Sequence, residues 1–130
     1  MMQRIWVYAR TASNCNEAIA KQMEELLQYA ASNRLQVVGM TGECTNGLTL
    51  QRTGIIELLQ AAKAGKMDAV LVKDFSRLTR HSTELSELFN QLKKCSVSIH
   101  SVLEQEQELL LDLPTTETYR MLFAKKQMSL

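Results

Sequence analysis

The chain of 130 residues contains only three cysteines, Cys15, Cys44 and Cys95, and no C-x-x-C spacing. An odd number without that spacing argues against a disulfide framework and against a structural zinc site, and it fits a reducing compartment. No apolar run is long enough to span a bilayer, and the first apolar segment does not have the pattern of a secretory leader. We therefore expect a cytoplasmic protein that has no membrane partner.

Neither sign of charge is in clear excess. Fifteen basic and 14 acidic side chains leave a formal net charge of +1. A domain that binds nucleic acid through a broad basic face is usually more basic. Contact with a polyanion must therefore be local, or be supplied by a part of a longer protein. The glycine-rich patterns G-x-G-x-x-G and Walker A are also missing, so no motif indicates a nucleotide cofactor.

The sequence does contain short apolar runs that alternate with helical periodicity, which is typical of βαβ units. Strands are predicted at 5–8, 35–40, 69–72 and, as an edge strand, 97–102. Helices are predicted around 19–30, around 55–62 with Gly65 ending the helix, and around 85–92 with Ser82 or Thr83 as the N-cap. We expect one α/β domain, a three-layer fold with an open, mostly parallel sheet of four to five strands flanked by helices.

Four arginines follow the predicted strands at one edge of this sheet: Arg10, Arg52, Arg77 and Arg80. Sites of open α/β sheets lie outside the carboxyl ends of the strands, so the four guanidinium groups should converge. Arginine binds phosphate oxygens through paired hydrogen bonds and stays charged at any working pH. A single arginine is more often a surface charge, but four together repel unless an anion neutralises them. The pattern predicts a phosphate-handling site.

Hydroxyl groups stand at the same predicted edge, on Tyr8, Thr11, Ser13 and Ser76. A serine beside guanidinium groups suggests nucleophilic attack on a phosphodiester, with the developing charge held by the arginines. On spacing alone, however, Ser13 is more commonly the N-cap of the helix that follows it.

The order of these residues resembles the catalytic domain of the serine site-specific recombinases, a family of resolvases, DNA invertases and larger transposon integrases. The motifs are Tyr-Ala-Arg-Thr-Ala-Ser at 8–13, Gln22, Asn46-Gly47 followed by Arg52, and the block from Val72 to Arg80. The resemblance implies a resolvase-like domain over residues 1–112 and the start of a C-terminal helix over 113–130. It also implies that the DNA-binding domain, which follows that helix in the family, is absent here.

The resemblance implies a mechanism. A serine hydroxyl attacks the DNA phosphodiester to give a 5′-phosphoseryl link, and the strands are then exchanged and rejoined with neither metal nor cofactor. Arg10, Arg77 and Arg80 would clamp the scissile phosphate. Arg52 would support that phosphate, and Gln22 and Tyr8 would order the pocket. The implied partners are DNA and further copies of the chain, as a homodimer or a synaptic tetramer.

Some positions depart from the family pattern. Ala12 occupies the usual nucleophile position, two residues after the arginine. Ser13 aligns with the nucleophile if one residue is inserted after Arg10, and we favour it. The supporting residues also differ: Asn46 replaces the family's loop serine and Glu43 matches its loop aspartate. Ser76 stands where many small members have aspartate, with Asp74 two residues earlier.

Two other functions stay open. A degenerate domain retained for dimerisation or regulation would account for Ala12. Alternatively, Glu43 and Asp74 could hold Mg²⁺ for phosphoryl transfer, with the arginines placing the phosphate.

Overall fold

A computed structural model describes residues 2–13, 15–45 and 52–104. In chain order the elements are β1 (Arg4–Thr11), α1 (Cys15–Ser32), β2 (Gln36–Cys44), α2 (Thr53–Lys63), β3 (Ala69–Val72), a 3₁₀ turn (Phe75–Arg77), α3 (Ser82–Lys94) and β4 (Ser98–Ser101). The strands form one sheet in the order β2-β1-β3-β4, and every neighbouring pair is parallel. The predicted α/β fold with a parallel sheet is confirmed.

Successive side chains of β1 belong to two different apolar layers, one on each face of the sheet. Ile5, Val7 and Ala9 are fully buried in the cluster that contains Leu26 of α1. Tyr8 is equally buried, but it belongs to the cluster built with α2 and α3. Because successive side chains of a strand point to opposite faces, α1 covers one face of the sheet and the other two helices cover the second. This is the predicted three-layer arrangement.

Most element boundaries agree with the sequence pattern. Gly65 has a φ of +71°, and its N–H donates to the carbonyl of Ala62 at 3.1 Å. That left-handed conformation favours glycine and ends α2 where the sequence indicates. The strand after α3 lies at an edge of the sheet, as predicted.

Three boundaries were predicted wrongly. β1 does not end at Tyr8 but continues to Thr11, so Arg10 lies within the strand and not after it. β2 does not end at Met40 but continues to Cys44, because Met40 to Cys44 pair with Val7 to Thr11 of β1. The N-cap of α3 is His81, which makes no side-chain cap hydrogen bond, whereas Ser82 and Thr83 lie inside the helix.

Several predictions fall outside the described residues. These are the helix over 113–130, the segment that precedes it and the loop with Asn46 and Gly47. The division into 1–112 and 113–130 therefore stays a prediction. None of the helices in the described ranges combines the length and apolar character needed to cross a bilayer.

Candidate active site

The 3₁₀ turn after β3 is the centre of the arginine edge. The carbonyls of Ser76 and Arg77 accept hydrogen bonds from Nη2 and Nε of Arg10, each at 2.8 Å. The next carbonyl, that of Leu78, accepts one from Nη2 of Arg52. Two arginines from different elements thus bind three successive carbonyls. These bonds tie the end of β1 and the start of α2 to the turn.

Arg10 is the most deeply buried of the four arginines, with 2% of its surface exposed. Its Nη1 donates to the carbonyl of Thr45 at 2.8 Å. Burial lowers the pKa of Arg10, and the neighbouring charges of Arg52, Arg80 and Arg77 lower it further. Like charges have this effect only at short range. Arg10 and Arg52 bind carbonyls of the turn that contains Arg77 and is followed by Arg80, so the structure brings all four arginines to one edge of the sheet.

The two arginines after β3 differ in their contacts. Arg77 donates from Nη1 to the carbonyl of Arg10 at 3.0 Å, and its Nε lies 3.3 Å from Oδ2 of Asp74. Arg80 is exposed and makes no hydrogen bond or ion pair with any residue in the described ranges. All of the Arg80 donors are thus free of partners among the described residues and remain available to a ligand.

Glu43 organises the site from the end of β2. Its Oε2 accepts a hydrogen bond from the hydroxyl of Tyr8 and lies 3.7 Å from Nε of Arg52. Its Oε1 accepts the N–H of Gly54 at 2.7 Å, and a Cβ on Gly54 would lie only 2.2 Å from the Glu43 carboxyl carbon. Close approach of the carboxylate to the first turn of α2 therefore requires glycine there.

Two further groups around Glu43 are buried. Burial and the hydrogen bond to Glu43 raise the pKa of Tyr8, so its phenol stays protonated and donates. Nη1 of Arg52 has no hydrogen-bond partner among the described residues. A buried donor without a partner is costly, so this N–H group lowers the stability of the site as it stands.

Gln22 of α1 fixes the backbone of Arg10. The side chain is 5% exposed. Its Oε1 accepts the Arg10 N–H at 3.1 Å, and its Nε2 donates to the Arg10 carbonyl at 3.2 Å. The amide therefore pairs with Arg10 as a neighbouring strand would.

Ala12 and Ser13 are both exposed in the loop after β1. The Thr11 hydroxyl donates to the carbonyl of Ser13 at 2.7 Å and accepts the Ser13 N–H at 3.4 Å. The Ser13 hydroxyl forms no hydrogen bond with any described residue, the four arginines included. It does not cap α1 through any described N–H, and it lies open to solvent.

Asp74 and Ser76 stabilise the 3₁₀ turn. Oδ1 of Asp74 accepts the N–H of Ser76 at 3.0 Å and also the Ser76 hydroxyl. Its other oxygen faces Arg77. Asp74 and Glu43 are thus both surrounded by N–H and O–H donors, an environment that suits the positioning of arginines better than the binding of a metal ion. Asn46, the remaining supporting candidate, lies outside the described residues.

Comparison with known proteins decides the family. The family model for the resolvase N-terminal domain matches residues 5–128. The chain belongs to this family. Among solved structures it is similar to the C-terminal catalytic domain of ISC1926 TnpA, an IS607-like serine recombinase. The two share 30% identity at a TM-score of 0.72, over 85% of this chain and 77% of that one.

Two more distant structures share the fold. The N-terminal catalytic domain of TP901-1 integrase is 20% identical, with a TM-score of 0.78, over 98% of this chain and all of that one. A resolvase family site-specific recombinase from Streptococcus pneumoniae is 18% identical, with a TM-score of 0.70, over 79% and 74%. The family predicted from the motifs is confirmed, and the chain is a resolvase-family domain of the serine recombinases.

One residue that positions the site of this resolvase-family domain was not predicted from the sequence. Glu104, just past β4, is 6% exposed, and its Oε1 accepts the N–H of Phe75 at 2.8 Å and the hydroxyl of Ser101 at 2.9 Å. Glu104 therefore holds the first residue of the 3₁₀ turn. Nothing in the sequence distinguishes Glu104 from Glu106 and Glu108, which follow it at alternate positions.

The expectation drawn from the cysteine count also needs correction. Cys15 and Cys44 form a disulfide, with their Cα atoms 5.5 Å apart, while Cys95 is free. The count gave no indication that these two positions are neighbours. Parallel pairing sets Cys44 opposite Thr11, and α1 begins at Cys15 only four residues later. The pairing of β2 with β1 thus brings together two cysteines that are distant in the sequence.

Proposed function

We propose that this domain cleaves and rejoins DNA in site-specific recombination, with Ser13 as the nucleophile. The observation that supports the proposal is the convergence of four arginines on the turn at the carboxyl edge, next to the loop that carries Ser13. In the reaction, the Ser13 oxygen bonds to phosphorus while the bond from phosphorus to the 3′-oxygen breaks. Negative charge grows on the phosphoryl oxygens, and fixed cations there lower the barrier.

The contacts suggest different tasks for the arginines. Arg80 and the remaining N–H groups of Arg77 would contact the phosphate, since these donors have no partner among the described residues. Arg52 is buried and would support the phosphate through its charge. Arg10 spends three hydrogen bonds on carbonyls, so it would contribute charge and hold the turn in place.

The remaining candidates would position the arginines. Tyr8 and Glu43 would hold Arg52, Gln22 would hold Arg10, and Asp74 and Ser76 would shape the turn. Asn46 would contribute from the loop before Arg52.

DNA is the proposed partner, together with copies of the same chain in a dimer or synaptic tetramer. Because the formal net charge is only +1, we propose that sequence recognition and most of the affinity come from a domain beyond these 130 residues. Action on DNA also agrees with the expected cytoplasmic location.

The test is a covalent trap. The full chain is incubated with a library of randomised duplexes that contain a nick, so that a cleaved end is lost by diffusion and rejoining is prevented. Protein–DNA adducts are recovered, the DNA is digested and the protein is cut with trypsin. We expect mass spectrometry to find the residual phosphonucleotide on peptide 11–21, at Ser13. Ser13→Ala should abolish the adduct.

The same assay separates the alternatives. A phosphonucleotide on Thr11, or on Ser76 in peptide 74–77, would contradict the assignment of Ser13. Absence of any adduct at concentrations where fluorescence anisotropy shows the chain bound to the duplex would favour the degenerate domain, which Ala12 suggests. Loss of the adduct on addition of EDTA would favour the magnesium mechanism through Glu43 and Asp74.

A further inference from the structure

Cys15 and Cys44 face each other across the loop that carries Ser13. Cys15 is the first residue of α1, two residues after Ser13, and Cys44 is the last residue of β2. Their Cα atoms are 5.5 Å apart. This separation lies inside the range of about 4.4–6.8 Å that disulfides adopt, so the bond can form without rearrangement of the backbone.

Both sulfur atoms are within reach of a small oxidant. Cys44 is exposed and Cys15 is partly exposed. Cys15 also lies in the first turn of a helix, where free backbone N–H groups favour a thiolate. Cys95 directly follows α3, is partly buried and has no disulfide partner, so it serves as an internal reference.

The cross-link spans the two sides of the candidate site. Next to Cys44, the carbonyl of Thr45 accepts Nη1 of Arg10, and the N–H of Thr45 donates to the carbonyl of Thr11 at 2.9 Å. Next to Cys15 lies the turn that holds Ser13. In this disulfide-bonded state the Ser13 hydroxyl makes no hydrogen bond to any of the four arginines. A cross-link at the end of the loop restricts any movement of the Ser13 hydroxyl toward a phosphate bound by the arginines.

We propose that Cys15 and Cys44 form a thiol–disulfide modification site for low-molecular-weight disulfides such as oxidised glutathione, and that oxidation holds Ser13 away from the phosphate. The effect of oxidation on Ser13, called here the control of Ser13, rests on the proposed function. The thiol–disulfide modification does not rest on it.

The chemistry is a two-step exchange. The Cys15 thiolate attacks one sulfur of glutathione disulfide, the bond between the two sulfurs breaks, and one glutathione leaves. The Cys44 thiolate then attacks the Cys15 sulfur of the mixed disulfide, and the second glutathione leaves. Two protein thiols are oxidised, one glutathione disulfide is reduced to two thiols, and the protons of the two cysteines pass to the departing glutathione molecules.

The modification site is tested on the full chain without DNA. Reduced protein is equilibrated in buffers of reduced and oxidised glutathione, quenched with an alkylating reagent and digested with trypsin. We expect peptide 11–21 to be linked to peptide 35–52 in oxidising buffer, and the link to disappear in reducing buffer. Cys95 should be alkylated in both. Persistent glutathione on Cys15 or Cys44 without the link, or a link to Cys95, would overturn the proposal.

The control of Ser13 is tested with the nicked-duplex assay in both redox states. We expect the oxidised chain to form the adduct at least about tenfold more slowly, equivalent to about 1.4 kcal/mol in the barrier. The double variant Cys15→Ala with Cys44→Ala, which neither cross-links nor takes up glutathione at this site, should react at the rate of the reduced wild type in both buffers. Cys95→Ala should respond as the wild type does. Equal rates in the two states of the wild type would refute the control of Ser13.

A different outcome would refute the proposed function. If neither the reduced wild type nor the double cysteine variant forms an adduct while bound to the duplex, the serine mechanism fails, and control of Ser13 fails with it. The peptide map would still decide whether the modification site exists.

Discussion

Glu43→Gln tests whether the Glu43–Arg52 pair stabilises the candidate site. The side chains of the two residues are 11% and 5% exposed, so solvent screens the pair very little. Loss of one partner of a buried pair costs about 3–5 kcal/mol, because the other charge is left uncompensated. Glutamine keeps the volume and an acceptor for the N–H of Gly54, so we expect a loss near the lower end, about 3 kcal/mol.

Urea unfolding at neutral pH measures this loss. With an m-value of about 2 kcal/mol/M, typical of small domains, the midpoint should fall by about 1.5 M at constant m. A domain of ordinary stability, about 5–15 kcal/mol, still folds after such a loss. Asp68→Asn is the matched control, since it breaks the Arg4–Asp68 pair at 3.0 Å, whose side chains are 42% and 43% exposed. That midpoint should change much less, because exposed ion pairs contribute little.

The double variant Glu43→Gln with Arg52→Met completes the experiment. If the cost comes from an unpaired buried charge, removal of both charges should recover about 1–2 kcal/mol relative to the sum of the single losses. Strict additivity, or a loss of less than about 0.5 kcal/mol for Glu43→Gln alone, would refute the reasoning.

Three further predictions concern other contacts of the site. Arg80→Ala should slow adduct formation at least about tenfold and leave the urea midpoint unchanged, since Arg80 has no protein partner in the described ranges. Arg10→Ala should lower both the rate of adduct formation and the urea midpoint. A lower urea midpoint in Arg80→Ala would contradict the conclusion that Arg80 has no partner among the described residues. The raised pKa of Tyr8 means that the folded chain retains a proton that the unfolded chain loses above about pH 10, so stability falls as the pH rises beyond that point. Between about pH 8 and about pH 11, the free energy of unfolding measured in urea should fall less steeply for Tyr8→Phe than for the wild type. Equal slopes would be evidence against the burial of a neutral phenol. Glu104→Ala should slow adduct formation among molecules shown to be folded, whereas Glu104→Gln, which keeps an acceptor for the N–H of Phe75, should recover most of the rate. Identical rates for the two variants would argue against positioning of the turn through this acceptor.

The sequence predicted the arginine edge because two independent rules agree. Apolar runs locate parallel strands, and residues after parallel strands meet at the carboxyl edge. Arg10 and Arg77 therefore came together as expected. Their partners were not predictable, because most are backbone carbonyls, which every residue carries. The carbonyls of Ser76 and Arg77 became acceptors for Arg10 only through the path of the 3₁₀ turn.

Other features depend on contacts that periodicity does not report. Cys15 and Cys44 became neighbours through the register of β1 with β2. Glu104 came close to the N–H of Phe75 because β4 lies beside β3. The choice between Ala12 and Ser13 is different again. Both residues are exposed, so no burial pattern indicates which of them aligns with the nucleophile position of the family. One residue inserted after Arg10 moves that position from Ala12 to Ser13.

The kind of partner each arginine has explains how a nearly neutral chain can present a positive site. Glu43 lies against Arg52 and Asp74 against Arg77, but Arg10 and Arg80 have no ion pair with a carboxylate in the described ranges. Arg10 is held by carbonyls instead, which orient a guanidinium without cancelling its charge. The edge therefore has four guanidinium groups against two carboxylates, although the formal net charge of the whole chain is +1. Because burial strengthens this local field, a phosphate can be held there without a broad basic surface.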